Sequence, residues 1–282
     1  IYDVEKTNNV PISKQDITTG EEIEGAKLEL LDSKGKVIES WTSTTKPHVI
    51  NNLKAGTYTI REKVAPKGYL LAEDIEFTID AEGNITGSTI MQDDYTKVEI
   101  SKKDIVTSEE LPGATLQVIE KSTGKVLEEW TSTAEPYKIN KLPIGEYILR
   151  EITAPDGYVR AEDVEFKVDK TGEIQRVEMK DDYTKVEISK KDLETKEILE
   201  GAQLQLLDSE GDVVAEFTSE NKAYMISKLP VGEYTLHEVK APKGYNLAED
   251  VKVVIEETGK VQEFSIYDVE KTNNVPISKQ DI

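Results

Sequence analysis

Three times in 282 residues, a lysine, a glutamate and an aspartate fall where strand alternation calls for an apolar side chain. Residues two apart on a strand share a face. Val10 and Ile12 are therefore in phase with Lys14, Val98 and Ile100 with Lys102, and Val186 and Ile188 with Lys190. Tyr58 and Ile60 point with Glu62, Tyr147 and Leu149 with Glu151, and Tyr234 and Leu236 with Glu238. On a third strand Met91 is in phase with Asp93, Met179 with Asp181 and Ile266 with Asp268. Ionisable groups turned into a small core are costly if charged and unpaired. Burial raises a carboxyl pKa and lowers an amine pKa, by up to about 3–5 pH units. The expected microstate is a neutral lysine amine beside a protonated acid, with one proton shared between two carboxyls. That state is reactive: the amine is a nucleophile, the protonated aspartic carbon an electrophile, and the glutamate can carry protons between them. Side by side, effective molarities reach roughly 10⁵–10⁸ M. The product would be a Lys–Asp side-chain amide, with one water expelled per bond.

The elements that must position these groups are short strands between turns. Lys14 to Lys102 is 88 residues, and Lys102 to Lys190 is again 88. A period of that length with no helical pattern reads as tandem β domains. Alternation is clear in 26–30, 114–118 and 202–206, each entered through a glycine. Hairpin signals follow at 33–36, 122–125 and 209–212, and again at 81–84, 170–173 and 257–260. This spacing predicts all-β antiparallel sandwiches. Boundaries are expected at 10–95, 96–183 and 184–269, with 1–9 ending a preceding repeat and 270–282 starting the next. No Gly/Ser-rich linker separates the units, so they should stack as a stiff rod.

Residues 266–282 (IYDVEKTNNVPISKQDI) repeat residues 1–17 letter for letter. The expectation is an interior piece of a longer array of three-domain units. Asp3 then matches Asp268 and belongs to a preceding domain, while Lys279 matches Lys14 and belongs to a following one; both should be unreacted here. The net charge of −21 argues against nucleic acid and anionic membranes as partners. With no cysteine, neither disulfides nor thiol redox chemistry can serve the fold. No apolar run has the length of a membrane span.

The Ile-Ser-Lys-x-Asp opening, the Gly-Ala entry, the glutamate before Ala-Pro-x-Gly-Tyr (65–69, 154–158, 241–245) and the Met-x-Asp closure at 91–93 and 179–181 resemble one known family. They are similar to the collagen-adhesin B-type (CnaB, or SpaA-like prealbumin-like) domains of Gram-positive surface proteins and pilins. The resemblance covers essentially the whole chain, and the pattern is especially similar to the domain that was split into peptide-ligation pairs, where the bond is Lys–Asp rather than the commoner Lys–Asn. It implies immunoglobulin-like or prealbumin-like sandwiches with spontaneous isopeptide bonds and glutamate as the catalytic residue. Carried over by position, the triads are Lys14–Glu62–Asp93, Lys102–Glu151–Asp181 and Lys190–Glu238–Asp268. The third closure departs from the pattern: Ile266-Tyr267-Asp268 stands in place of Met-x-Asp, and Asp268 to Lys279 spans 11 residues against 9 at the other junctions. Asn273 and Asn274 are the alternative acceptors there, with phase favouring Asp268.

Other residues carry blander expectations. His48 and His237 have no partner at useful spacing and read as surface residues. The Asp93-Asp94 and Asp181-Asp182 pairs lack the ligand spacing of a Ca²⁺ loop, so no metal or cofactor is expected. Leu111-Pro112-Gly113-Ala114-Thr115 has the wrong order for a sortase signal. Trp41, Trp130 and Phe217 are expected to pack in the core beside the triads. Function then reads as stalk repeats of a cell-surface adhesin or fibrous protein, extracellular and anchored to a Gram-positive cell wall. Partners are neighbouring domains of the array, with any host matrix ligand assigned to other parts of the parent and the fragment itself a monomer. Direct binding of matrix protein or glycan by the repeats is the alternative, although no aromatic or basic cluster marks a site for it. Turnover of a separate substrate has no nucleophile–His pair to support it; the chemistry is single-turnover and self-directed.

Overall fold

The computed structural model describes residues 6–272. Asp3, Asn273, Asn274 and Lys279 lie outside the described residues. Among those described, regular structure is all β, in six sheets forming three two-sheet units. Strand alternation explains the layering. The opening strands Asn8–Asp16, Lys97–Asp104 and Lys185–Asp192 each bury every second side chain. Each opening strand is central in its sheet. On one side it pairs antiparallel with a short strand: His48–Leu53, Tyr137–Asn140 or Tyr224–Ser227. On the other it pairs with the closing strand of its own unit: Ile90–Asp93, Ile174–Tyr183 or Val261–Asp268.

That second pairing is parallel, which corrects the expectation of wholly antiparallel sandwiches. A parallel neighbour needs a long crossover, and here nearly the whole unit is that crossover. The register is the same in all three: Asp16 opposes Asp93, Asp104 opposes Asp181, and Asp192 opposes Asp268. The facing sheet is antiparallel, with the glutamate strands Gly56–Val64, Gly145–Thr153 and Gly232–Lys240 inside it. Between the sheets lies one core per unit. In the first, Val10, Ile12, Leu28, Leu30, Ile60, Phe77 and Met91 are all buried.

Adjacent units are clasped by one lysine each. Thr96 and Thr184, at the junctions, are fully buried. The Thr96 amide donates to the Gly68 carbonyl of unit one, and the Lys141 amide of unit two donates to the Thr96 carbonyl. Lys141 has φ 66° and reaches back to Asp16 Oδ2 at 2.9 Å, over the Tyr69 ring. The second junction repeats this: Lys228, with φ 63°, reaches Asp104 Oδ2 at 2.8 Å over the Tyr158 ring. Burial pushes the Asp16 carboxyl up, but hydrogen bonds from Lys141, the Thr18 and Thr19 amides and Tyr69 outweigh it and hold it at about 2. This joint is therefore lost only as pH falls below the ordinary aspartate range, through about 2.

A charge-assisted hydrogen bond contributes about 1.5–3 kcal/mol; since the Lys141 side chain is 40% exposed, about 1 kcal/mol is reasonable after solvent screening. Lys141→Ala should raise the undocked population about five-fold. Amide exchange at Thr96 should quicken by that factor while Thr184, at the untouched junction, stays unchanged.

Candidate functional site

Each triad bridges the two sheets of its unit. Lysine and aspartate come from neighbouring parallel strands of one sheet, and glutamate from the facing sheet. Because Lys14 opposes Met91, Asp93 stands two residues further on the same face, within reach of a lysine side chain. Glu62 projects from its own strand opposite Leu28. The result is that Lys14, Glu62 and Asp93 meet, as do Lys102, Glu151 and Asp181, and Lys190, Glu238 and Asp268. Lysine Nζ lies 3.1, 3.0 and 2.8 Å from the glutamate oxygen in units one to three. It donates directly to Oδ1 of Asp93, Asp181 and Asp268. No side chain of the nine is more than 1% exposed.

The glutamate is held by backbone that sequence reasoning did not single out. The amides of Ala72, Ala161 and Ala248, each ten residues on, donate to Oε2 of Glu62, Glu151 and Glu238 at 2.8, 2.7 and 2.7 Å. The Ala-Pro-x-Gly-Tyr turn between them swings the chain back to make that contact. In each triad Oε1 of the glutamate and Oδ2 of the aspartate are buried with no conventional hydrogen bond, though in units one and three Oε1 is the oxygen that faces the lysine Nζ, at 3.1 and 2.8 Å. A proton held between the two carboxyls satisfies both. The electrostatics agree. Burial first, and then the neighbouring Glu62 charge, push the Asp93 carboxyl up to about 7, against the opposing pull of Lys14. Asp181 is likewise pushed up to about 7 by burial and Glu151, against Lys102. Asp268 is raised for the same reasons. An aspartic acid that keeps its proton near neutrality has an electrophilic carbon, and here the lysine nitrogen lies against it.

An aromatic pair flanks each site. Trp41 stacks on His48 at 4.7 Å, Trp130 on Tyr137 at 4.3 Å and Phe217 on Tyr224 at 4.0 Å between ring centroids. Trp41 and Trp130 are half-buried and pack against the core clusters of their units, while Phe217 is buried within its own. A cleft of about 250 Å³ lined by Trp130 and Tyr137 reaches Lys102. The partners were legible in a constant spacing of seven residues: 41 to 48, 130 to 137 and 217 to 224. The histidines also have carboxylate partners, contrary to expectation: His48 meets Glu39 and His237 meets Asp250, each at 2.7 Å. Distance in sequence, nine and thirteen positions, hid both. Asp94 and Asp182 pair with Lys97 and Lys185 at 2.8 Å, and among the described residues no cluster of acidic, His or Cys side chains could hold a metal ion. No helix of the described residues is long and apolar enough to cross a membrane.

The TIE protein of Bacillus anthracis is 24% identical with a TM-score of 0.48 over 94% of this chain and 51% of its own. BcpA, the major pilin subunit of Bacillus cereus, is 17% identical with a TM-score of 0.36 over 94% of this chain and all of its own. A streptococcal ancillary pilin is 15% identical with a TM-score of 0.38 over 95% of this chain and all of its own. The chain thus spans about half the length of the first of these. No curated protein sequence matches it. The profile of the SpaA domain, described as a prealbumin-like fold domain, matches three times in succession, at residues 8–94, 96–183 and 184–270. Those matches take in nearly the whole chain, one per two-sheet unit, and the chain belongs to the SpaA prealbumin-like fold family.

Proposed function

We propose that the three units are stalk modules of a Gram-positive cell-surface protein, an adhesin or pilus-like fibre anchored to the cell wall, and that each locks itself with a Lys–Asp isopeptide bond. The observation that carries this is the threefold burial of one amine against two carboxyls, with Oδ2 of each aspartate left without a hydrogen bond. In the reaction Lys14 Nζ attacks Asp93 Cγ, forming the N–C bond. Glu62 takes a proton from the nitrogen and passes it to the departing Asp93 oxygen, which leaves as water. Nothing is oxidised or reduced, and no cofactor or metal takes part. Lys102 with Asp181 through Glu151, and Lys190 with Asp268 through Glu238, follow the same course. Each bond is made once, on the chain itself, so the chain is not a turnover enzyme.

The mechanical consequence follows from the topology. Tension enters along the opening strand and leaves along the closing strand, which lie parallel and adjacent. Lys14 and Asp93 are 79 positions apart, and a covalent tie between them takes the load off all the chain between. Host ligands, if the parent protein has them, fall to other segments. Intact-mass measurement under denaturing conditions tests the proposal. The expected mass lies three waters below that of the sequence; the full sequence mass from folded, undegraded protein would end the proposal, and a deficit of two waters would place the failure in a single unit.

A further inference from the structure

At both internal junctions the same loop fills the same socket. The socket of unit one is Gly68, Tyr69 and Asp16, and that of unit two is Gly157, Tyr158 and Asp104; the loops that fill them carry Lys141 and Lys228. Contact is close. A Cβ on Gly68 would stand 2.1 Å from the Lys141 carbonyl oxygen, and one on Gly157 would stand 2.2 Å from that of Lys228. Both glycines are buried.

Unit three builds the socket again. Asp192 accepts the Glu194 and Thr195 amides, Tyr245 hydrogen-bonds it, and only 6% of the residue is exposed. Yet among the described residues no lysine or arginine pairs with Asp192, Gly244 is exposed, and nothing lies within 4 Å of where its Cβ would stand. The cleft on this face is about 800 Å³, against about 260 Å³ on the corresponding face of unit two, which unit three closes down.

The complementary loop is present at the other end of the chain. Asn52 of unit one occupies the position of Lys141 and Lys228, is exposed, and already has the left-handed backbone of the docked loops, with φ 60° against 66° and 63°. The residues from 266 to 282 spell out residues 1–17 again, so the stretch that follows Asp268 matches the one that opens unit one. We infer that the open face of unit three is a docking surface for the Asn52 loop of unit one in a second copy of this chain, head to tail. Such a contact is heterologous, and repeated without closing into a ring it propagates as a filament.

This joint differs from the internal ones in kind. Asn52 has no ammonium to meet Asp192. Glu270 stands where Tyr95 and Tyr183 supply a second ring beside the lysine, and Val269 replaces Asp94 and Asp182. Backbone fit remains and the charged clasp does not, so three-unit blocks held firmly inside are joined by softer contacts.

The test is a chain of two copies joined through their common seventeen residues, spin-labelled at cysteines introduced into a sequence that has none. One label replaces Glu249 in the first copy and the other Lys36 in the second. A reference pair at Glu162 and Asp212 reports on the internal junction between units two and three. The inter-copy distance distribution should have one maximum and be broader than the reference. Asn52→Lys in the second copy, on an exposed loop whose counterparts hold lysine at the same φ, should narrow it towards the reference. Gly244→Asn in the first copy should abolish the maximum, because asparagine tolerates positive φ while its Cβ occupies the space of the docked backbone. If either substitution leaves the distribution as it was, with the melting of unit three intact, the docking surface is not there.

Discussion

Replacing Glu62, Glu151 and Glu238 together by Gln should leave three folded sandwiches that regain three water masses and melt roughly 15–30 °C lower. Glutamine has the size of glutamate, and its carbonyl oxygen can still accept the Ala72, Ala161 or Ala248 amide that holds the side chain in place. It cannot accept a proton from the lysine nitrogen or return one to the leaving oxygen. The bond therefore fails for want of proton transfer, while the core keeps its volume. Treated as a cross-link that constrains the unfolded chain, closure of a loop of 79 positions contributes roughly 4 kcal/mol. For a unit of this size each kcal/mol moves the midpoint by about 4–8 °C. Calorimetry with intact mass separates the causes. In the single variant Glu151→Gln, one of the three units should split off as a lower transition, with the mass rising by one water. An unchanged mass in the triple variant would remove glutamate from the chemistry.

The second large effect is a pH dependence that the proposed cross-link would conceal. Lys14→Met cannot form the bond and leaves Asp93 and Glu62 buried without a cation. Asp93 already sits at about 7 in the presence of Lys14, chiefly because of burial, and Lys14 is the group pulling it down. Removing the lysine can only move it further up. A carboxyl raised in the folded state binds its proton more tightly there than in the unfolded chain, so its contribution to stability is complete below the ordinary aspartate value of 3.8. It is lost progressively as pH rises through about 7 and beyond. Unit one of Lys14→Met should therefore be more stable at pH 5 than at pH 8, by a few kcal/mol, whereas the bonded protein should show no such slope from this site. Denaturant midpoints for unit one across that range measure the difference. A flat profile, or one rising with pH, would mean that Asp93 is ionised in the folded core.

The contrast between triad and joint shows how two buried aspartates on facing positions acquire opposite character. Asp16 opposes Asp93 in register, and both are buried. Asp16 receives two amides, a tyrosine and the Lys141 ammonium, and is held down at about 2. Asp93 shares one lysine with a second carboxylate and is pushed up to about 7. Hydrogen-bond donors outnumber acceptors around the first and fall short around the second. One is an anion that clasps the next unit; the other is an acid that keeps its proton up to about 7.

What alternation alone determined was the inward face. Side-chain direction along a strand is local, with a period of two, so Lys14, Glu62 and Asp93 and their counterparts could be placed on the core face before any fold was known. The repeat then multiplied one observation into three. The same phase argument, carried two residues past Lys14, reaches Asp16, but nothing local distinguishes a clasped aspartate from a solvated one. Only the tertiary structure decided that the opening and closing strands lie parallel and adjacent, that glutamate approaches from the opposite sheet, and that the Ala72 amide holds it. It also brought Asp268 to Lys190 despite the altered closing sequence. The Lys141–Asp16 clasp joins side chains 125 positions apart in different units. Long-range register and inter-unit contact depend on how whole strands pack against each other, and no short window of sequence contains that information.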